Sequence, residues 1–128
     1  MSAPLILIVE DNARNAKLLR DVLQVTGYRT VDTTTAEEGL VIARRDRPDL
    51  ILMDIQLPGM DGKEALRELR RDPVTRPIPV IAVTASVLPL EREEILAVGF
   101  DGYQGKPLSV KTLLAEVQEI LARKPGAT

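Results

Sequence analysis

The first apolar run of the chain, Leu5-Ile6-Leu7-Ile8-Val9, stops at two carboxylates, Glu10-Asp11. The same figure returns three times: Leu50-Ile51-Leu52-Met53 stops at Asp54, Val80-Ile81-Ala82-Val83 stops at Thr84, and a weaker Gly102-Tyr103-Gln104-Gly105 stops at Lys106. Short apolar runs without alternation, bounded by turn formers, predict strands buried on both faces. Arg29 to Thr33 alternates more, which predicts an edge strand. Between the strands, apolar residues recur at helical spacing. The predicted helices are Arg14 to Val25 with Leu19, Val22 and Leu23 inward, Ala36 to Arg45 with Leu40 and Ala43 inward, and Lys63 to Arg70 with Leu66 and Leu69 inward. Glu91 to Val98 follows, then Val110 to Leu121 with Leu113, Leu114, Val117 and Leu121 on one face. Leu18 and Val25 join Val22 in widening the apolar face of the first helix, a feature that ordinary packing would absorb or that a partner would cover. Thr35 and Ser109 are candidate N-caps, and Gly27, Pro48, Gly59, Pro73, Pro77, Pro79, Gly99 and Pro107 punctuate the joins.

Strands alternating with helices imply βαβ units with right-handed crossovers and a parallel sheet covered on both faces. The prediction is therefore an α/β, doubly wound, flavodoxin-like domain: five parallel strands in the order 2-1-3-4-5 with five helices. A length of 128 residues suits one domain over 1–128, with a core from about 4 to 122 and a loose tail from Arg123 to Thr128.

Composition narrows the chemistry. Cysteine is absent, so there is no disulfide framework and no thiol-based zinc site. Histidine is absent as well, which excludes a Ser-His-Asp triad, an imidazole metal site and a phosphohistidine within this chain. The net charge of −2 with interspersed signs, and only three aromatics (Tyr28, Phe100, Tyr103), argue against nucleic-acid binding. No apolar run is long enough to span a bilayer and no secretory leader is visible, so the expectation is a soluble cytoplasmic protein without a membrane partner. Whatever chemistry occurs falls to carboxylates, lysine, hydroxyls or a metal held by oxygen.

In open parallel sheets the ligand site lies beyond the carboxyl ends of the strands, where strand order reverses. With the order 2-1-3-4-5, Glu10-Asp11 and Asp54 stand about one strand spacing apart, ~4.8 Å, with Thr84 flanking Asp54 and Lys106 about 10 Å away. Three carboxylates so close raise at least one pKa well above the usual value near 4. A hard divalent cation relieves the repulsion, and magnesium suits the place better than calcium because it needs only one or two carboxylates, waters and a phosphate oxygen. Carboxylates accept phosphoryl groups, and the transfer needs mainly positioning and charge neutralisation, which the metal, Lys106 and Thr84 can supply. Each residue also has a plainer reading: Asp54 as a turn Asp, Glu10-Asp11 as a favourable helix start, Thr84 as a solvent-facing strand residue, Lys106 as a surface lysine, Tyr103 as part of the core beside Phe100. Their convergence at consecutive strand ends favours the functional reading.

The same residues, over nearly the whole chain, resemble the receiver domain of two-component response regulators. The resemblance rests on Glu10-Asp11 after the first strand, Asp54 and the Leu57-to-Gly62 loop after the third, Thr84-Ala85 after the fourth and Lys106-Pro107 after the fifth. It implies that Asp54 is the phosphoacceptor, and that Glu10, Asp11, Asp54 and the Gln56 carbonyl arrange Mg²⁺. It implies that Lys106 contacts the phosphoryl group, that Thr84 and Tyr103 form a switch pair, and that a cis peptide precedes Pro107. It further implies a phosphorylation-activated switch rather than an enzyme acting on other substrates. The donor would be a sensor histidine kinase or histidine phosphotransfer protein docking near the first helix, and a downstream protein would bind the face of the fourth helix, fifth strand and last helix. Gln56 and Ser86 occupy positions that tune dephosphorylation in this family. Gln104-Gly105 departs from the family's usual apolar fifth strand and predicts a short or mobile one.

Two other readings compete with this one. The chain could be a receiver cut from a larger hybrid kinase or regulator, with Lys124-Pro125-Gly126 as the start of a linker. A carboxylate-nucleophile phosphatase of the haloacid-dehalogenase kind ranks far lower, because its general-acid Asp would stand where Gln56 does and no cap domain fits. The loop Asp11-Asn12-Ala13-Arg14 lacks the glycines of a dinucleotide or nucleotide-triphosphate site.

Overall fold

In the computed structural model, residues 3–57, 59–84, 89–106 and 108–122 are described. The elements run β1 (Leu5–Val9), α1 (Ala13–Thr26), β2 (Arg29–Thr33), α2 (Ala36–Asp46), β3 (Leu50–Asp54), α3 (Gly62–Arg71), β4 (Val80–Thr84), α4 (Pro89–Val98), β5 (Gly102–Gly105) and α5 (Val110–Ala122). All strand pairs are parallel and the order is β2-β1-β3-β4-β5, as the pattern predicts. The central strands β3 and β4 are buried along their whole length, while β2 is half-exposed at one edge.

Strand alternation sorts the core into two layers. Leu7, Val9, Ile51, Met53, Val80 and Ala82 face α2, α3 and α4. Ile6, Ile8, Leu50, Leu52, Ile81 and Val83 face α1 and α5, meeting Leu19, Leu23, Leu113 and Val117. Where a helix must lie flush on the sheet, a glycine allows it: a Cβ on Gly39 of α2 would sit 2.9 Å from a Val9 methyl. On α5 the innermost residues are Leu113, Val117 and Ile120, with Leu114 and Leu121 half-buried beside them.

The caps explain the helix starts. Asn12, Thr35 and Asp61 each accept the N–H of the residue three further on, at 3.0, 3.2 and 2.9 Å, and so satisfy donors that the first turn leaves open. Ser109 receives the Thr112 N–H at 3.4 Å. The fourth helix begins at Pro89 rather than Glu91, because proline costs nothing in a first turn. Of the two readings of the widened apolar face of α1, packing is not the one observed for Leu18 and Val25, which are 39 % and 89 % exposed and lie outside the core against which Leu19 and Leu23 pack. Adding i−1 or i+2 neighbours to a helical stripe rotates them away from the buried arc.

Candidate functional site

Glu10, Asp54, Thr84 and Lys106 all stand at the carboxyl edge of the sheet, at or one residue past the ends of β1, β3, β4 and β5, while Tyr103 stands near the start of β5. Glu10 follows β1, and its N–H donates to the Thr33 carbonyl at 3.0 Å, which prolongs the β1–β2 ladder by one residue and fixes where the acidic pair emerges. Asp54 is the last residue of β3, opposite Val83. Thr84 closes β4 opposite Gly105, and its carbonyl accepts the Lys106 N–H at 2.8 Å, so the end of β4 sets the position of the lysine.

One carboxylate oxygen from each of Glu10, Asp11 and Asp54 lies within 4.8 Å of the others. Glu10 and Asp54 are buried, 1 % and 3 % exposed, whereas Asp11 is exposed. The Lys106 ammonium closes the group: its Nζ stands 3.0 Å from Asp54 Oδ2 and 2.9 Å from Glu10 Oε1. Asp54 Oδ1 accepts the Gln56 N–H at 2.9 Å, so the turn role and the site role of this aspartate coexist, one oxygen to each. Glu10 Oε2 accepts the Asn12 N–H at 3.1 Å. Glu10 Oε1 is buried, and its close neighbour is the Lys106 ammonium at 2.9 Å, which it shares with Asp54.

The electrostatics follow from this crowding. Burial first, and then the neighbouring Asp54 carboxylate, push the Glu10 pKa from its ordinary 4.5 up to about 7, against the pull of Lys106 and the Asn12 N–H. On Lys106 burial works against the charge, but the two carboxylates outweigh it and its pKa is raised. Two buried acids and one base leave negative charge in excess, with the exposed Asp11 adding more. Hard oxygen ligands from three carboxylates within 4.8 Å of one another, against a single ammonium, fit a divalent cation such as Mg²⁺. Glu10, Asp11 and Asp54 supply that donor set.

Thr84 is fully buried and Tyr103 half-buried. Tyr103 pairs with Ala82, two residues before Thr84, so both side chains project from the same face of the sheet and Tyr103 packs on the α2/α3/α4 layer. Thr84 also lines a cleft of about 290 Å³ with Ile55, Gln56, Asp61, Lys63 and Glu94. Gln56 is exposed on the loop that leaves Asp54. That loop is tight: a Cβ on Gly62 would fall 2.6 Å from Ile55 Cα. The predicted cis bond at Pro107, and Ala85, Ser86 and the 123–128 tail, lie outside the described residues.

Sequence reasoning missed the role of Gln104. It is 4 % exposed on the opposite face of β5, where its Nε2 donates to Glu116 Oε1 of α5 at 3.0 Å. The strand is short, four residues, and tolerates a buried amide because α5 offers it a carboxylate. The signal available was Glu116 itself, the only acidic residue that falls one helical turn from both Leu113 and Ile120 on the inner side of α5.

Comparison with known proteins agrees with this geometry. The family model of the response regulator receiver domain matches residues 6–118, and the chain belongs to that family. Its function is that of a receiver in two-component signalling. The polar-differentiation response regulator DivK of Brucella anthropi is 45 % identical over 116 residues, covering 91 % of this chain and 94 % of that protein. DivK of Brucella ovis is 44 % identical with the same coverage. Among solved structures, a CheY-like response regulator receiver domain protein from Methanospirillum hungatei superposes with a TM-score of 0.88 at 29 % identity, over 99 % of this chain and all of the other, 100 %. The receiver domain of a sensor histidine kinase from Pseudomonas aeruginosa, solved with a magnesium ion coordinated in its active site cleft, superposes with a TM-score of 0.82 at 38 % identity, over 98 % and 99 % of the two chains. Among the described residues no helix is long and apolar enough to cross a membrane.

Proposed function

We propose that this protein is a single receiver domain, working in the cytoplasm, whose Asp54 accepts a phosphoryl group from a phosphohistidine of a sensor kinase or phosphotransfer protein. The observation that carries the reading is the Lys106 ammonium shared between Asp54 and Glu10 at 3.0 and 2.9 Å, in a site whose third carboxylate, Asp11, is open to solvent. An Asp54 carboxylate oxygen forms the new O–P bond as the P–N bond to the donor imidazole breaks, and the imidazole leaves with its electron pair. Lys106 holds the resting Asp54 carboxylate in place and then turns to a phosphoryl oxygen, within reach from its present position. The Thr84 hydroxyl offers the phosphoryl group a further hydrogen bond. Glu10, Asp11, Asp54 and the Gln56 carbonyl would hold Mg²⁺, which when bound neutralises charge on the carboxylates and on the transferring phosphoryl oxygens. Movement of Thr84 toward the new anion leaves room for Tyr103, on the same face, to follow inward. A two-state population then shifts, and the surface of α4, β5 and α5 changes its affinity for a downstream protein. Hydrolysis of the phosphoaspartate resets the switch.

The test is incubation with acetyl phosphate, with and without Mg²⁺, followed by intact mass and hydroxylamine treatment. One labile phosphoryl group per chain, dependent on Mg²⁺ and mapped to Asp54, is the expected result. Absence of an adduct, together with no response of Thr84 and Tyr103 amide resonances to beryllofluoride, would overturn the proposal and leave a receiver that binds partners without phosphorylation.

A further inference from the structure

The strand that leads into Lys106 is β5, which lies at the edge of the sheet and is hydrogen-bonded on one side only, to β4. From that edge the lysine reaches past β4 to Asp54 of β3 and to Glu10 beyond β1, at 3.0 and 2.9 Å. Any shift of β5 is therefore carried to the ammonium. The backbone supplies one brace, the Lys106 N–H donated to the Thr84 carbonyl at 2.8 Å. Side chains supply few others, because β5 reads Gly102-Tyr103-Gln104-Gly105 and strand alternation sets Tyr103 on the face opposite α5. Toward α5 the strand presents the Gln104 side chain alone.

Gln104 is 4 % exposed and pairs with Val83, in the layer where Leu113 and Val117 of α5 meet the sheet. An apolar side chain costs less in such a layer, since a buried amide gives up water and recovers at most what its new hydrogen bonds return. The chain nevertheless places an amide there and fits the surroundings to it. Glu116 of α5 accepts from Gln104 Nε2 at 3.0 Å, and its carboxyl carbon lies so close to Gly102 that a Cβ there would fall 2.7 Å away. Glycine weakens a strand interior, so Gly102 is itself a concession to this carboxylate. The bond also spans an opening: Gln104 and Glu116 both line a cleft of about 390 Å³ between β5 and α5, with Thr112, Ala115 and Glu119. Gly102 and Gln104 thus serve a link to α5 that stability alone does not call for.

We propose that Gln104 is a positioning residue for Lys106: its bond to Glu116 fixes β5 against α5 and so sets where the ammonium stands between Asp54 and Glu10. A hydrogen bond has a narrow range of length and direction, whereas apolar contact lets a strand slide on a helix. Gln104 precedes Lys106 by two residues, about 7 Å of strand, so little of the placement is lost on the way. The inference rests on the part given to Lys106 in phosphoryl transfer, where the placement of a charge decides how well it stabilises the transferring group.

The test reads Lys106 directly. In the ¹⁵N-labelled full chain at low temperature, the Lys106 ammonium resonance is identified by its loss in Lys106→Met. Gln104→Leu, close to glutamine in volume, removes the tie, and Glu116→Gln keeps an acceptor for it. Where circular dichroism shows a folded chain, Gln104→Leu should move or broaden the ammonium signal of the resting protein. It should also slow uptake from acetyl phosphate at saturating Mg²⁺ by about tenfold. Glu116→Gln should leave the signal in place and the rate within about twofold of the parent. Should Gln104→Leu fail to fold, Glu116→Ala removes the same bond from the half-buried helix side and carries the same expectations as Gln104→Leu. An unmoved signal or an unslowed rate in the folded variant would overturn the proposal and leave the bond a matter of stability. If the parent itself takes up no phosphoryl group, the proposed phosphorylation fails by itself, and the ammonium signal alone decides whether Gln104 places Lys106.

Discussion

The two edges of the sheet use the same residue types to opposite ends. At the amino edge, Asp49 Oδ2 accepts the Leu5 N–H at 2.8 Å, and Asp101 Oδ2 accepts both the Val80 N–H at 2.8 Å and Arg70 Nη2 at 3.0 Å. Arg70 spends its other arm on the carbonyls of Arg76 and Ile78, at 2.9 and 2.7 Å. These groups lock strand starts to the preceding loops. At the carboxyl edge, by contrast, Glu10 and Asp54 share one ammonium. Crowding, rather than residue type, separates the two edges: at the amino edge each carboxylate meets a strand-start N–H, whereas at the carboxyl edge two buried carboxylates compete for one ammonium and hold charge that a ligand can relieve.

The largest effect that would break this contrast is chemical. Asp54→Asn should abolish Mg²⁺-dependent phosphoryl uptake from acetyl phosphate by intact mass while leaving the fold in place; uptake at the parent rate would place the acceptor elsewhere. Next comes the pH dependence of Glu10. The folded protein keeps a proton there up to about pH 7, whereas the unfolded chain releases it near the ordinary 4.5. Relative stability is therefore full below that lower value and falls as pH rises through about 7, by a quantity on the order of 3 kcal/mol from a shift of this size. Denaturant titrations in chelator from acid to neutral pH should lose this slope in Glu10→Gln. Asp101→Ala should cost about 2 kcal/mol, because it strips the acceptor from a buried Val80 N–H, and should leave phosphoryl uptake unchanged. Equal damage to uptake and stability would erase the distinction between the edges. The smallest change sharpens it from inside the site: Asn12→Ala, beside Asp11, should lower stability by about 1 kcal/mol as a lost N-cap and scarcely alter uptake.

The strands, their order and the meeting of Glu10, Asp11, Asp54 and Lys106 could be read from the chain, since an apolar run that ends in a charge marks both a buried strand and its open end. The direction of the Glu10 pKa was legible from the neighbouring carboxylate, but its main cause, the burial of Glu10, was not. What the pattern could not give was decided by angles and pairings. Leu18 and Val25 have the hydrophobicity of core residues and miss the buried arc of α1 by rotation alone. Gln104 looks like a flaw in β5 until the Glu116 carboxylate, seated over Gly102, is found to hold it. Arg47 gives no hint in sequence of its left-handed backbone, because a C-cap there is ordinarily glycine. Asp101 and Arg70, thirty-one residues apart, carry no local signal of their pairing.

Lys106 reaches Asp54 from fifty-two residues further along the chain. A growing polypeptide therefore holds all three clustered carboxylates long before it holds the ammonium that joins two of them, and β5, just ahead of that lysine, is the last strand to be made. The charge balance of the cluster is thus set only in a chain whose fifth strand has joined the sheet.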